Sequence, residues 1–426
     1  MKSVSQIKFG RYLTPKETPA LFDIRTEAED LYDEGKFFEA YAVLFNYYQE
    51  LGGQAVTLDI DDDTDSLNFK ILQGSKTVKG SITEAEVSAE TEIAKFSESG
   101  VALMRFLLAQ NSELVYSKFS INGNSIFLGQ KCPVKDLSPA AFSEMLSEIA
   151  IFSDAIDEML EAEFPFIIPV DYENTIPLSK EETEAKIEFL RFWLEQAFEL
   201  LSKTEDEGLK TYIILSTVFK ILYLISPEGL LLNRFRNVLG IYREADDESA
   251  DYAELNYKMT EGLKKIYETS DAEIEKSMFK TVTFFPEGEY TDFADMAQSI
   301  GGMLQIPVKC SDERKDYLIL VTCEYIACYH LCKHGMPKAA EELLIIFLKV
   351  SNPDFFQAVG YGEVLFDEEK QVFFKGRICA EIEEINKKYS LEYPAFCFEA
   401  ANLDFNSQEN FAYSFLVEFI KLQITD

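Results

Sequence analysis

Between residues 22 and 163 the spacing of apolar side chains changes from helical to alternating and back, twice. This change of period restricts the fold more than any other feature of the chain. Leu31, Phe38, Val43, Leu44 and Tyr47 recur on helical turns, with Gly35 dividing the stretch into two helices and Gly52-Gly53 ending it. From Ala55 onward the period is two: Val56, Leu58 and Ile60, then Leu67, Phe69 and Ile71, then Val87, Ala89, Thr91 and Ile93. Alternation of this kind predicts three strands with one buried face each, and Gly74 and Gly80 are the expected turn or bulge positions. Val101, Met104, Leu107 and Leu108 return to helical spacing over 98–110. Leu114 to Ile121 and Ser125 to Leu128 read as two strands joined at Asn122-Gly123, a pair expected to take positive φ at both positions. Ser138 as N-cap and Pro139 at the first helical position then open a helix carried by Phe142, Met145, Leu146, Ile149, Phe152, Ile156 and Leu160. The prediction for 22–163 is an α+β domain of order α-βββ-α-ββ-α, with 1–21 as an N-terminal extension.

Pro165, Pro169 and Pro177 mark 164–178 as a Pro-containing linker. Ser179 followed by Glu182 is a capping box that starts a mainly α-helical domain of packed helix pairs, 179–426. Leu190, Trp193, Ala197 and Leu200 form one apolar stripe, and Tyr212 to Ile225 a second apolar run. Pro227 and Gly229 break the pattern, 244–256 reads as an acidic exposed stretch, and 282–291 as irregular. Val364–Phe366 with Val372–Phe374 suggests a small hairpin, followed by helices near 376–389 and 408–423.

Charge excludes two classes of partner. The chain has 426 residues with 40 basic and 75 acidic side chains, a formal net charge of −35. Nucleic acid and anionic lipid both need basic surface, so neither nucleic-acid binding nor membrane insertion is expected. The acidity serves solubility, or the capture of a basic or poorly folded protein. Seven cysteines, Cys132, Cys310, Cys323, Cys328, Cys332, Cys379 and Cys397, in a long chain and partly within apolar helical runs fit a reducing compartment. The N-terminal residues lack a signal-peptide core, and Lys220 interrupts the Tyr212–Ile225 run short of the roughly 20 residues that span a bilayer. The expectation is a soluble, cytoplasmic protein.

Four constellations bear on chemistry. Cys328 and Cys332, like His330 and His334, are one helical turn apart, with Cys323 nearby, so each pair could chelate a metal. Residues 328 and 330 nevertheless point about 160° apart, which favours buried thiols and a capping histidine. Asp59, Asp61, Asp63 and Asp65 resemble a calcium loop only superficially, because Thr64 and Lys70 stand where such a loop needs Gly and Glu. There is no G-x-S-x-G elbow and no phosphate-binding glycine loop. No cofactor is expected. Finally, both faces of the Leu114–Leu128 hairpin are apolar. Leu114, Tyr116 and Phe127 on one parity are therefore candidate partner-binding residues, unless the helical domain covers that face.

The element order of 22–163 resembles the fold of type III secretion chaperones and YbjN-like proteins. The local run Tyr116-Ser-Lys-Phe119, Asn122-Gly123, Ile126-Phe-Leu128 and Leu137-Ser-Pro-Ala140, then Leu146 and Ile149, carries the same resemblance. It covers about a third of the chain and implies a cytoplasmic, often dimeric domain that binds another polypeptide. Unlike free-standing secretion chaperones, this region continues into a long helical part. Tyr325–Leu348, with Gly335 at a turn and Ala340 on the next helix, resembles a tetratricopeptide hairpin, and Gly35 with Ala40 repeats the spacing. Two such hairpins are short of an array. The expected function is that of a non-enzymatic protein-binding adaptor or chaperone-like factor in a bacterial cytoplasm, with a homodimer among the expected assemblies. The alternatives are a motif-less enzyme or metal-binding protein using the Cys328–His334 helix, and a purely structural oligomeric protein.

Overall fold

A computed structural model describes residues 7–52, 55–61, 66–98, 100–170, 174–243, 251–305 and 315–424. The chain is mixed α and β and forms two compact units. One comprises Glu17–Pro177 and Phe279–Pro286; the other comprises Met1–Lys16, Leu178–Met278 and Glu287–Asp426.

The first unit begins with α1 (Pro19–Asp33) and α2 (Phe37–Gly52). Thr18 caps α1 by accepting from the Leu21 N–H, and Gly35, at φ +79°, makes the turn between the helices. Four strands follow, β1 (Val56–Asp61), β2 (Ser66–Gly74), β3 (Lys76–Ile82) and β4 (Glu86–Phe96). Then come α3 (Val101–Gln110), β5 (Lys118–Asn122), β6 (Ser125–Pro133), α4 (Pro139–Glu163), β7 (Ile167–Pro169) and β8 (Ile176–Pro177). Phe279–Pro286 adds β9 (Phe279–Lys280) and β10 (Val282–Thr283). The sheet runs β1-β2-β3-β4-β6-β5, with β10 also on β2 and β7 also on β4, all antiparallel.

This order corrects the expected three-strand run to four. Strand β3 has only Val78 and Ile82 as buried apolar residues, too few to show a period. Register places it all the same: Leu67, Ile82 and Val87 form one buried row across β2, β3 and β4, and Phe69, Gly80 and Ala89 the next. Gly80 is therefore in mid-strand, not at a turn. A Cβ there would lie 2.1 Å from the Ser88 carbonyl oxygen and 2.2 Å from the Phe69 ring. The hairpin also differs from expectation. Asn122 pairs with Ser125, so the loop is Gly123-Asn124, and only Gly123 has positive φ, at +63°. That is the arrangement of a type II′ turn.

Ser138 caps α4 by accepting from the Ala141 N–H, with Pro139 in the first turn. Helices α2 and α4 cover the apolar face of the sheet, where Phe45, Phe69 and Phe142 interlock. Residues 164–178, expected as a linker, hold β7 along β4 and β8 along β9.

The second unit contains α5 (Lys180–Lys203), α6 (Glu207–Lys220), α7 (Gly229–Arg243), α8 (Tyr252–Tyr267) and α9 (Asp271–Glu275). It continues with β11 (Glu289–Tyr290), α10 (Phe293–Met303), α11 (Lys315–Lys333), β12 (His334–Gly335), α12 (Lys338–Ser351) and α13 (Pro353–Ala358). The hairpin β13 (Phe366–Asp367) and β14 (Val372–Phe373), then α14 (Lys375–Tyr389) and α15 (Gln408–Phe419), complete it. Ser179 caps α5 through the Glu182 N–H. Helix α6 runs on into a π turn, Ile221–Ile225, and packs against α5, α8 and α11. By length and composition Glu207–Ile225 passes as a membrane span, but 78% of it is buried inside the protein. The first residues belong to this unit: Phe9 packs on Phe356 and Tyr361, and the Gly10 N–H reaches the Tyr223 carbonyl and Ser226 Oγ, each at 2.8 Å. Gly335 lies between α11 and α12, as the hairpin spacing suggests. Its necessity is a backbone approach, since a Cβ would be 1.8 Å from the Thr14 carbonyl oxygen.

Candidate functional site

The three hairpin residues singled out from the sequence do not form one surface. Strand β5 starts only at Lys118, because the Glu148 carboxylate of α4 draws the preceding segment into a turn. It accepts from the N–H groups of Val115 (2.6 Å), Tyr116 (3.0 Å) and Ser117 (2.7 Å) and from Ser117 Oγ (2.6 Å). Desolvation raises its pKa, but these four hydrogen bonds outweigh that and hold it below the ordinary glutamate value. Leu114 and Tyr116 lean on separate apolar clusters, while Val115 is 81% exposed. Only Phe127 stays on the outer sheet face, half-buried between Glu92 and Ser120.

The cysteine–histidine helix is α11. Cys323 and Cys328 are completely buried and Cys332 mostly so; burial raises all three thiols, that of Cys332 to about 12. His330 is buried, its Nδ1 bonded to the Ile326 carbonyl at 2.8 Å, and desolvation lowers its pKa to about 4. His334 Nδ1 meets Thr291 Oγ1 at 2.8 Å. Among the described residues no group of three or more His, Cys, Asp or Glu side chains is arranged to hold a metal ion. Asp63, Asp65 and Cys310 lie outside the described residues.

The helical unit contains a better-formed site. A cleft of about 510 Å³ opens between α5, α6, α11, α13 and the β13–β14 hairpin. Its aromatic wall is Phe189, Trp193 and Phe355, with ring centroids 5.2–5.6 Å apart. Lys220, the residue that interrupts the apolar run in the sequence, ends α6 here. Its Nζ is 5.0 Å from the centre of the Trp193 ring and 3.0 Å from Glu324 Oε2. Glu324 also accepts from Asn352 Nδ2 at 3.1 Å and Ser216 Oγ at 3.4 Å, so its charge is matched inside the cleft.

Besides Glu199, which pairs with Lys203, two further carboxylates line the cleft, Asp354 at the start of α13 and Glu368 in the hairpin loop. Neither has an ion-pair partner among the described residues. Glu368 is an exposed residue, yet the neighbouring cleft wall withdraws part of the water from its carboxyl; this, then the charge of Asp354, raise its pKa above the ordinary value, with Lys220 opposing. The loop is held by Asp367, which accepts from the Lys370 N–H at 3.0 Å, and by Gln371, at φ +53°. Tyr317, also lining the cleft, has a buried hydroxyl with no hydrogen-bond partner among the described residues. A second depression of about 870 Å³ adjoins the cleft, since Phe189, Phe192 and Asp354 line both. It carries Glu184, Glu188, Glu195, Asp271 and Glu275 against Lys180 and Arg191, which pair with Glu184 at 3.6 Å and Asp271 at 2.6 Å, and Phe192 is 47% exposed between the two.

Residues 193, 220, 324, 354 and 368 come from separate elements, and no local pattern joins them. The signals that would have found them were the single tryptophan and a lysine inside an otherwise apolar helix. No protein-family model matches the chain, and no curated protein matches its sequence.

Proposed function

We propose that this chain is a non-enzymatic protein-binding factor, an adaptor or chaperone-like protein of a bacterial cytoplasm, that captures a basic segment of its partner. The observation that carries the reading is the pair of adjoining depressions along α5, rich in carboxylates and divided by the exposed ring of Phe192. An apolar anchor beside an acidic groove suits an extended polypeptide bearing positive charge. Burial of the ring supplies affinity, and the field supplies selectivity and a fast approach. The net charge of −35 acts in the same direction at longer range. The resemblance of the 22–163 sequence to secretion chaperones, which bind polypeptides, is in keeping with this reading.

The test is affinity capture from lysate of the native organism with tagged full-length protein at low and high salt. One or two proteins recovered near stoichiometrically, less so at high salt and not by Phe192→Glu, support the reading. Recovery indifferent to both salt and Phe192→Glu would remove it.

A further inference from the structure

We infer that the cleft beside Trp193 seats the ammonium group of a lysine side chain from the partner polypeptide, held by Asp354 and Glu368 beside the exposed ring of Phe192. The inference rests on the protein-binding reading above and names the chemistry that one of its contacts recognises.

The charge pattern selects the ligand. The cleft's own cation, Lys220, is already matched by Glu324, and Glu199 at the rim is paired with Lys203 at 2.5 Å. What remains is negative: Asp354 and Glu368 both line the cleft, and the charge of Asp354 acts on Glu368. An anionic ligand would add to that repulsion, whereas a cation relieves it. The wall selects a cation as well. Lys220 Nζ covers the Trp193 ring, which is only 4% exposed, so the face left open to an incoming ammonium group is that of Phe192, 47% exposed on the same cleft. A cleft of about 510 Å³ exceeds what one lysine side chain fills, and this leaves space for the backbone that carries it.

Proton linkage gives the site a signature. Asp354, Lys220 and Glu324 are the charged groups that act on Glu368, and the net effect keeps its carboxyl protonated to a higher pH than usual. A bound ammonium favours the ionised form, so binding releases a proton. Affinity therefore falls as pH drops through the raised pKa of Glu368.

The chain has one tryptophan, and it lines the cleft, so its fluorescence reports occupancy directly. Tetralysine, its Nε-acetylated counterpart and n-butylamine would be titrated into the full-length protein. The expected result is a saturable change with tetralysine and at least tenfold weaker binding of the acetylated peptide. Glu368→Gln should weaken tetralysine about fivefold and flatten the pH dependence. Both carboxylates are on exposed residues, so Asp354→Asn with Glu368→Gln should fold normally by circular dichroism and lose most of the response. Equal binding of the acetylated peptide, or an unchanged response in that double variant, would overturn the inference. So would n-butylamine binding as tightly as tetralysine, which would make the ligand a free amine. A captured partner that is lost with Phe192→Glu but kept by the carboxylate double variant would sink the lysine seat alone. A tetralysine response without any captured partner would instead sink the protein-binding reading.

Discussion

Each unit of the molecule buries a lysine against a carboxylate, and the two pairs do different work. In the sheet unit Lys76 Nζ lies 2.7 Å from Asp157 Oδ2, and each side chain is 3% exposed. The ammonium group also donates to the Ile93 carbonyl at 2.9 Å, and Asp157 accepts from Ser75 Oγ at 3.1 Å. Next to it the Asp154 carboxylate accepts from the Ser75 N–H at 2.9 Å and occupies the space over Gly74, where a Cβ would meet it at 1.8 Å. This pair ties the β2–β3 turn to α4 and is closed to solvent. In the helical unit Lys220 and Glu324 are 12% and 14% exposed and face a cleft with further carboxylates at its mouth. A sealed pair is satisfied by its surroundings and serves the fold, whereas an open pair beside unmatched charge leaves potential for a ligand. Burial of a charge thus points to function only when the surrounding charges fail to cancel.

The largest expected effect lies in the sealed pair. Lys76→Ala leaves Asp157 buried without its cation and should destabilise the sheet unit by about 3–5 kcal/mol. Urea denaturation would measure it. The double variant Lys76→Met with Asp157→Leu should recover most of the loss, because replacing both charges removes the desolvation cost along with the attraction. A single variant costing less than about 1 kcal/mol would break the contrast between the two pairs.

A smaller effect should appear in the helical unit, where His330 is buried without a carboxylate. Its folded pKa of about 4 is below the unfolded value near 6.5, so the unfolded state takes up the proton first as pH falls. The contribution of His330 is complete above pH 6.5. It should be lost at about 1.4 kcal/mol per pH unit down to pH 4, roughly 3 kcal/mol in all. His330→Leu should remove that part of the slope in denaturation curves recorded at successive pH values, and identical slopes would refute the assignment.

The smallest effect is expected at the open pair. Lys220→Met should cost only about 1–2 kcal/mol, since water reaches Glu324 and Asn352 and Ser216 still donate to it. The same change leaves one more uncancelled carboxylate in the cleft, so tetralysine should bind more tightly by Trp193 fluorescence. Weaker binding would mean that Lys220 itself contacts the ligand.

Local signals were read well where local chemistry decides. Ser138 and Ser179 cap their helices because a short side-chain oxygen before an apolar helical run satisfies an otherwise unpaired N–H. The 364–374 hairpin appears at Phe366–Asp367 with Val372–Phe373. The reading failed where a distant group intervenes. Leu114 and Tyr116 carry strand-like spacing, yet Glu148, some thirty residues later, takes the backbone donors a strand would use. Strand β3 lacks a pattern because Lys76 and Gly80 occupy positions that alternation would fill with apolar side chains.

The sequence by itself determined the period of each segment, its caps and turns, and the sign of the charge. Those depend on residues within a few positions of one another and on a sum over composition. The tertiary structure alone decided that Phe279–Pro286 joins the sheet unit, which residues share a cleft, and which charges find partners. Register, desolvation and charge pairing are set by whichever surface lies opposite. Chain closure brings Trp193, Lys220, Glu324, Asp354 and Glu368 together across 175 positions of sequence, beyond the reach of any local pattern.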